Sequence, residues 1–409
     1  MHTIALITYD ISPYRGSEAA VSWNFVSKMH PHVKLVVIYG GSQDEVERYI
    51  NENPIENVEW ICVPKRVLPT TQKGLREDFY YSLYYRQWHK QVAKLVGELV
   101  DAGKVDLIHY LNPIGFKEPG WCWKYKSVPY VWGPVMCVEN RPISLFRVYS
   151  LKQKVFALAR RVVHNALFVL NPRVKKAFKN TDAIFAVTPK GQRMLKRVHG
   201  MDSILMPENG IIEMYRDKPI ALKNGETLKI IWVGRVFDQS KGLLMLLDAL
   251  SRTVRKNWQL HLVGEGGFPS NAVDVANKIK GQIVMHGKIA REDVLQLFRE
   301  SHLHVISSMG EATTTVLFEA MSYAVPTMTL DHCGMAGVVC EKCGIKIPIK
   351  SYNQVVNQMA SSIDSLIEHP ERIEELSNGV IDCSKKFMWD NRISIFVDTY
   401  TRLIDQYKG

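Results

Sequence analysis

The sequence predicts an α/β protein made of two doubly wound parallel-sheet domains. Two observations carry this expectation. Strand-like and helix-like segments alternate almost throughout the 409 residues. The alternation breaks once, at Pro207-Glu208-Asn209-Gly210 and the polar stretch to Glu226, and then restarts. A chain of this length can bury two full cores. Its 46% hydrophobic and 23% charged residues are ordinary globular values.

Short apolar runs bounded by turn residues predict strands near 3–8, 33–38, 58–63, 105–110, 129–133 and 182–187. Helices fall between them, near 17–29, 43–51, 77–101 and 189–198. The second alternation opens at Leu228-Lys229-Ile230-Ile231-Trp232-Val233 and continues through strands near 258–263, 282–285, 303–306 and 326–330. The expected domains are 1–207 and 208–387. Sheets of this kind bind ligands beyond the carboxyl ends of their strands, so a cleft between the domains is the expected site.

Thr3-Ile4-Ala5-Leu6-Ile7-Thr8 is too short for a secretory core and reads as a first strand. No apolar run is long enough to span a bilayer. Seven scattered cysteines predict reduced thiols in a cytoplasmic protein. The net charge of +11 is local. Between Asn140 and Thr181 there is no acidic residue and there are ten basic ones, leaving 42 basic against 41 acidic elsewhere. The excess therefore describes a surface patch.

The densest candidate site is Gly310-Glu311-Ala312-Thr313-Thr314-Thr315, ahead of Glu319. Leu303-His304-Val305-Ile306 predicts a buried strand and Thr315 to Tyr323 a helix. A strand–loop–helix junction aims free N–H groups and a positive dipole end at a ligand. Glu319 is expected two turns into the helix, on nearly the same face as Glu311. This suits a ligand that is anionic at one end and rich in hydroxyls at the other, such as a nucleotide-sugar. Val233-Gly234-Arg235 ends another strand and Lys241-Gly242 opens the next helix, so Arg235 and Lys241 flank one loop. Two fixed cations there suit a diphosphate, although two solvated surface cations would read the same way by themselves.

Leu262-Val263-Gly264-Glu265-Gly266-Gly267 lacks the final glycine of a dinucleotide fingerprint, because position 269 is Pro269. It reads as a tight strand-to-helix turn. No P-loop pattern and no Asp-x-Asp pair is present, which speaks against metal-dependent diphosphate chemistry. Pro13-Tyr14-Arg15-Gly16-Ser17-Glu18 offers a close backbone approach at Gly16 and a helix start capped by Ser17. His109 is expected at a strand end, placed for proton transfer or for a sugar hydroxyl; a satisfied core histidine is the plainer alternative. His332, Cys333, Cys340 and Cys343 raise a zinc question, but only one Cys-x-x-Cys is present and packed thiols are the simpler account.

The basic stretch places Val155, Leu158, Ala159, Val162, Ala166 and Val169 at helical spacing, with cations on other faces. Arg147, Lys152, Lys154, Arg160, Arg161, Lys175 and Lys176 would then face an anionic membrane surface. The alternative is a core-facing helix with a solvated outer face. Nucleic acid is not expected, since no nucleic-acid motif accompanies the patch.

Taken together these motifs resemble the family-4 glycosyltransferases of the GT-B fold. The likeness is densest over about 208–340, where His286-Gly287-Lys288-Ile289 and Glu319-Ala320-Met321-Ser322-Tyr323-Ala324-Val325-Pro326 join the residues above. Gly16-Ser17-Glu18, His109 and Trp132-Gly133-Pro134 match more loosely. The resemblance implies that the helix after Phe387-Met388-Trp389-Asp390, about 388–409, returns to the first domain. It implies that Arg235 and Lys241 bind a UDP- or GDP-type diphosphate and that Glu319 bonds the ribose. Glu311 would meet the sugar hydroxyls, while Thr313, Thr314 and Thr315, with Ala312 beside them, would supply backbone N–H groups. Gly287, Lys288 and Ile289 would lie along the base, Gly16 near the phosphates and His109 near the sugar. It further implies retention of anomeric configuration without a metal. Thr313 stands where the family often has an aromatic residue, so the sugar pocket has its own shape.

The expected activity is thus sugar transfer from a nucleoside-diphosphate sugar to a glycan acceptor, lipid-linked and handled at the inner membrane face in surface-polysaccharide assembly. A sugar-nucleotide epimerase of the same fold and a non-catalytic nucleotide-sugar-binding protein are the competing expectations.

Overall fold

The structure is a computed structural model. It describes residues 1–16, 18–66 and 75–409, and the side chains of all of these except 75–81. In chain order the main elements are β1 Thr3–Thr8, α1 Glu18–Met29, β2 Lys34–Tyr39, α2 Gln43–Glu52, β3 Val58–Cys62, α3 Leu75–Asp101, β4 Leu107–Asn112 and β5 Tyr130–Val135. There follow α4 Leu151–Leu170, α5 Pro172–Lys179, β6 Ala183–Ala186, α6 Pro189–Met194 and β7 Ile204–Leu205. The second half holds β8 Leu228–Val233, α7 Leu243–Arg252, β9 Trp258–Val263, α8 Ser270–Lys278, β10 Ile283–Gly287, α9 Arg291–Glu300 and β11 Leu303–Ile306. It continues with α10 Thr315–Ser322, β12 Thr327–Leu330, α11 Met335–Val338, β13 Gly344–Ile347, α12 Tyr352–Glu368, α13 Glu371–Ser384 and α14 Trp389–Lys408.

The chain divides into two compact units. One comprises Met1–Val138, His164–Glu208 and Trp389–Gly409; the other comprises Glu139–Val163 and Asn209–Met388. Residues 139–163, assigned to the first domain from sequence, group with the second unit, and the division falls inside α4.

In the first unit the described strands form a parallel sheet in the order β3-β2-β1-β4-β5-β6-β7. Its strands are covered on both faces, which is why β1, β4 and β5 read as nearly continuous apolar runs. One face packs on α1 and α14 through Phe25, Phe396 and Tyr400; the other packs on α3 and α5 through Trp88 and Phe178. In the second unit the order is β10-β9-β8-β11-β12-β13, again parallel. Leu246 and Leu250 of α7, with Val355, Met359 and Ile363 of α12, fill one face. Leu317 and Met321 of α10 and Val380 of α13 fill the other.

Both sheets reverse their strand order once, between β1 and β4 and between β8 and β11. Crossovers leave in opposite directions there, and a crevice opens beyond the strand ends. Most predicted elements sit within two residues of their places. Among the elements that were not anticipated are the two-residue β7, the four-residue β13 and the helices α5, α12 and α13.

Candidate functional site

The reversal of the second sheet brings together two loops, 234–242 after β8 and 307–314 after β11. Glycines let them meet. Gly242 has φ +70°, and a Cβ there would lie 2.1 Å from the Ser307 carbonyl oxygen. Gly264, after β9, has φ +143°, and a Cβ would lie 1.7 Å from the Gly234 oxygen. Larger residues at either position would push the loops apart. Side chains complete the joint: Trp232 Nε1 donates to Ser307 Oγ at 3.1 Å, Ser307 Oγ to the Lys241 carbonyl at 2.9 Å, and the Met309 N–H to the Ser240 carbonyl at 2.9 Å.

One charged pair crosses this joint and a second lies within the first loop. Lys241 Nζ donates to Glu311 Oε1, which also accepts from Ser308 Oγ at 3.1 Å. Both partners are mostly buried. Arg235, more than half exposed, donates to Asp238 Oδ2 at 2.7 Å. Burial pushes the Asp238 carboxyl up. Bonds from the Ser240 hydroxyl and N–H, with Arg235 and Lys241 nearby, outweigh it and hold the pKa below the usual value. The two cations thus sit beside acids that fix their positions, and they are not free surface charges.

Helix α10 begins at Thr315 beyond this loop, and the N-cap Thr314 makes no side-chain cap bond. In this first turn the Leu317 N–H donates to the Thr314 carbonyl at 3.1 Å, and by helix geometry the N–H groups ahead of it point toward the loop. Ala312 and Thr313 are buried, and the backbone of Gly334 presses on them: a Cβ there would meet the Ala312 oxygen at 1.8 Å. Glu311 precedes the helix, so the expected shared face with Glu319 does not exist. Glu319 instead accepts from Arg291 Nε of α9 at 3.0 Å. The Gly287 oxygen accepts from the Gly264 N–H at 2.8 Å, which ties the 287–289 turn to the β9 loop. Lys288 is exposed there, and Ile289 packs on the core.

Sequence reasoning passed over Arg141 as a site residue, counting it only in the basic patch. Its side chain lies against Gly310, and its guanidinium lies 5.8 Å from the Tyr149 ring centroid. With Lys152, Phe156 and Phe237 it lines a cavity of about 510 Å³ that reaches Asp238 and Ser240. Nothing local in the sequence tied position 141 to position 310.

In the first unit Gly16 is exposed and a Cβ there would meet nothing within 4 Å, so protein packing does not require a glycine. Ser17 lies outside the described residues. The expectation for His109 is corrected. β4 runs on to Asn112, so His109 is mid-strand and fully buried. One ring nitrogen lies 2.7 Å from the Gly133 carbonyl oxygen and the other 2.5 Å from the Tyr400 hydroxyl, between Phe25 and Phe396. Burial lowers its pKa to about 4, only partly offset by the Gly133 bond. It is a satisfied core histidine. The residue at the strand end is Asn112. It accepts from the Tyr9 N–H at 2.6 Å and donates to the Asp10 carbonyl at 3.2 Å, fastening the β1 loop at the first sheet's own reversal.

The basic helix also departs from one expectation. In α4 Phe168 is the fully buried side chain, whereas Leu151, Val155 and Val162 are 77%, 60% and 68% exposed. Most of its apolar residues face solvent, while Phe168, Leu167 and Ala157 pack on the cores. Lys152 and Arg160 are exposed on the same helix, with Lys154 and Arg161 half-buried, and Lys175 and Lys176 are exposed on α5. Arg147 is engaged, donating to Asn353 Oδ1 at 3.3 Å over the Tyr352 ring. No described helix is long and apolar enough to cross a membrane.

The cysteines and histidine weighed together from sequence separate into two groups. Cys340 and Cys343 join Cys383, while His332 and Cys333 join Glu139.

Residues 227–369 match the family described as Glycosyl transferases group 1. An uncharacterized glycosyltransferase of Methanocaldococcus jannaschii is 21% identical over 52% of this chain and 51% of its own length. The putative teichuronic acid biosynthesis glycosyltransferase TuaC of Bacillus subtilis is 23% identical, over 49% and 52% respectively. Lipopolysaccharide 1,6-galactosyltransferase of Escherichia coli is 32% identical over 27% and 32%. The chain thus spans about half the length of the first two relatives and about a third of the last. Among solved structures, the apo form of the lipopolysaccharide outer core galactosyltransferase WaaB matches with TM-score 0.66 at 14% identity, covering 98% of this chain and all of that one. Anabaena HepE in complex with UDP and glucose matches with TM-score 0.59 at 15% identity, over 98% and 100%. The fold is that of GT-B proteins, and the matched segment supports a glycosyltransferase.

Proposed function

We propose that the protein is a retaining, metal-independent hexosyltransferase. It moves a sugar from a UDP- or GDP-linked donor to a glycan acceptor, lipid-linked, in surface-polysaccharide biosynthesis. The observation that carries this reading is the junction at the second sheet's reversal. Two buttressed cations, Arg235 and Lys241, and the uncapped start of α10 converge within one matched family segment.

The chemistry follows from the charges. The bond from the anomeric carbon to the diphosphate oxygen breaks and the diphosphate leaves with the electron pair, while the acceptor hydroxyl oxygen bonds that carbon and gives its proton to a departing phosphate oxygen. Lys241, Arg235 and the helix N–H groups stabilise that developing charge, and no divalent cation is required. Losing one such donor typically costs roughly 10²–10³ in rate. Glu311 orients Lys241 and offers its remaining lone pairs to sugar hydroxyls. Glu319 meets the ribose, with Arg291 fixing its carboxylate. Gly287, Lys288 and Ile289 border the base. Thr313, small and buried, shapes the sugar pocket.

The relatives support the acceptor class: two are named for teichuronic acid and lipopolysaccharide synthesis. The outward apolar side chains and cations of α4 support docking on an anionic membrane, at its cytoplasmic face. Nucleotide-sugars screened by thermal shift, followed by a transfer assay with lipid-linked acceptors, test the reading. A donor that raises the melting temperature by mass action and releases nucleoside diphosphate only with acceptor supports it. Conversion of the donor without acceptor would assign an epimerase instead, and binding with no turnover a non-catalytic protein.

A further inference from the structure

Three cysteines outside the donor site are drawn together by packing. Cys340 and Cys343 open and close a turn between α11 and β13, in which the Cys343 N–H donates to the Cys340 carbonyl at 3.0 Å. The Cys340 N–H points at Cys343 Sγ, 3.2 Å away. Helix α13 lies on this turn so closely that a Cβ at Gly379 would come within 1.8 Å of the Lys342 oxygen. Only glycine permits that approach. Cys383, one turn further along α13 on the same face, is thereby brought to the turn. Its Sγ is 3.4 Å from Cys340 Sγ, which is itself 3.5 Å from Cys343 Sγ, and the three atoms lie within 4.8 Å of one another.

These spacings match metal–thiolate ligation. Zinc–sulfur bonds of about 2.3 Å at tetrahedral angles separate sulfurs by about 3.8 Å. A disulfide would need the sulfurs at about 2.0 Å. Cys343 is buried among Val338, Val339 and Val380, whereas Cys340 and Cys383 are half-exposed, which leaves one side open to solvent.

We propose that Cys340, Cys343 and Cys383 form a three-thiolate site for a soft divalent ion of the zinc class, with water in the fourth position. Each thiol releases its proton to solvent as its sulfur binds, and no oxidation state changes. The ion clips α13 to the segment between β12 and β13. That segment also carries Gly334, which presses on Ala312 and Thr313. The role is structural, and it holds whether or not the donor reading does.

The test uses the full chain, reduced and stripped of metal by chelator dialysis, then titrated with cobalt and zinc ions alone. Thiolate-to-cobalt charge-transfer absorption saturating at one ion per chain is expected, with displacement by zinc and a raised melting temperature. Cys383→Ser is expected to lose the band and the shift. Cys62→Ser and Cys333→Ser are expected to keep both, with circular dichroism confirming that each variant is folded. Absence of the band in the wild-type chain would overturn the site. So would a native Cys340–Cys383 or Cys340–Cys343 disulfide found by mass spectrometry under non-reducing conditions. A band lost in Cys333→Ser but kept in Cys383→Ser would place the ion at the Glu139 group and equally overturn it.

Discussion

Lys241 donates its ammonium to Glu311 and so joins the loop after β8 to the loop after β11, where the second sheet reverses its strand order. One N–H of the ammonium is used in this pair, and two remain to meet phosphate oxygens. The carboxylate aims the cation and holds it in place before a donor arrives. Lys241→Ala is therefore expected to leave the fold intact and lower sugar transfer by roughly 10²–10³. Glu311→Gln keeps the shape but not the charge, and is expected to lower kcat while the chain stays folded. Steady-state kinetics and circular dichroism on both variants check this.

Arg235 is more exposed than Lys241, and Asp238 restrains it. Its bond to a diphosphate would be charge-assisted, worth roughly 1.5–3 kcal/mol. Arg235→Ala is expected to weaken nucleoside-diphosphate binding by about 10- to 150-fold on that scale. Arg235→Lys is expected to restore only part of it, since the ammonium lacks the planar fork. Calorimetric titration reads both.

His109 is buried with partners on both ring nitrogens, in a layer of aromatic rings. His109→Ala removes both bonds and leaves a cavity, so a loss of stability of about 2–4 kcal/mol is expected. Below its lowered melting temperature the variant is expected to keep kcat within a few fold of wild type. A large fall in kcat with unchanged stability would return His109 to the chemistry.

Acid sensitivity follows from the buried histidines. Burial holds His89 and His304 at about 3 and His109 at about 4. Unfolded, each titrates near its ordinary 6.5, so below that pH the unfolded chain binds protons the folded chain refuses. Their contribution is complete above pH 6.5 and is lost as pH falls toward about 4 for His109 and about 3 for His89 and His304, by up to about 1.4 kcal/mol per pH unit for each group. Glu18, raised by burial, has the opposite sign and offsets part of the loss. Urea unfolding is expected to show clearly lower stability at pH 5 than at pH 7. Equal stability at the two values would mean that these rings are not held neutral.

The outward side chains of α4 make a surface prediction. Val155→Glu with Val162→Glu replaces two exposed apolar groups by acids among cations. The pair is expected to abolish flotation with anionic liposomes while leaving the melting temperature within about 2 °C, because neither side chain is packed. Wild-type flotation should weaken with salt. No wild-type flotation at low salt would remove the membrane from the account.

Much of this architecture is legible in the residues. β1 and β2 are nearly continuous apolar runs because parallel strands covered on both faces need them. The strand-end loops that hold Arg235, Lys241 and Glu311 were legible, because each follows an apolar run. The Lys241–Glu311 pair was not, since the two positions, 70 apart in sequence, meet only through strand order. His109 was misplaced by a two-residue error in the end of β4, enough to move a ring from a strand tip to the core. Arg141 and Cys383 were missed for a related reason. Each meets its neighbours through the approach of a distant glycine or a distant helix, which no local spacing records.

The most direct test of the central claim is calorimetric titration of UDP and GDP into metal-free buffer, for the wild-type chain, Arg235→Ala and Lys241→Ala. Fixed positive charge at the second sheet's reversal predicts tight binding of one of the two nucleotides without added magnesium or manganese, and at least a tenfold loss in each variant. Binding that appears only with a divalent cation, or that both substitutions leave untouched, would contradict it.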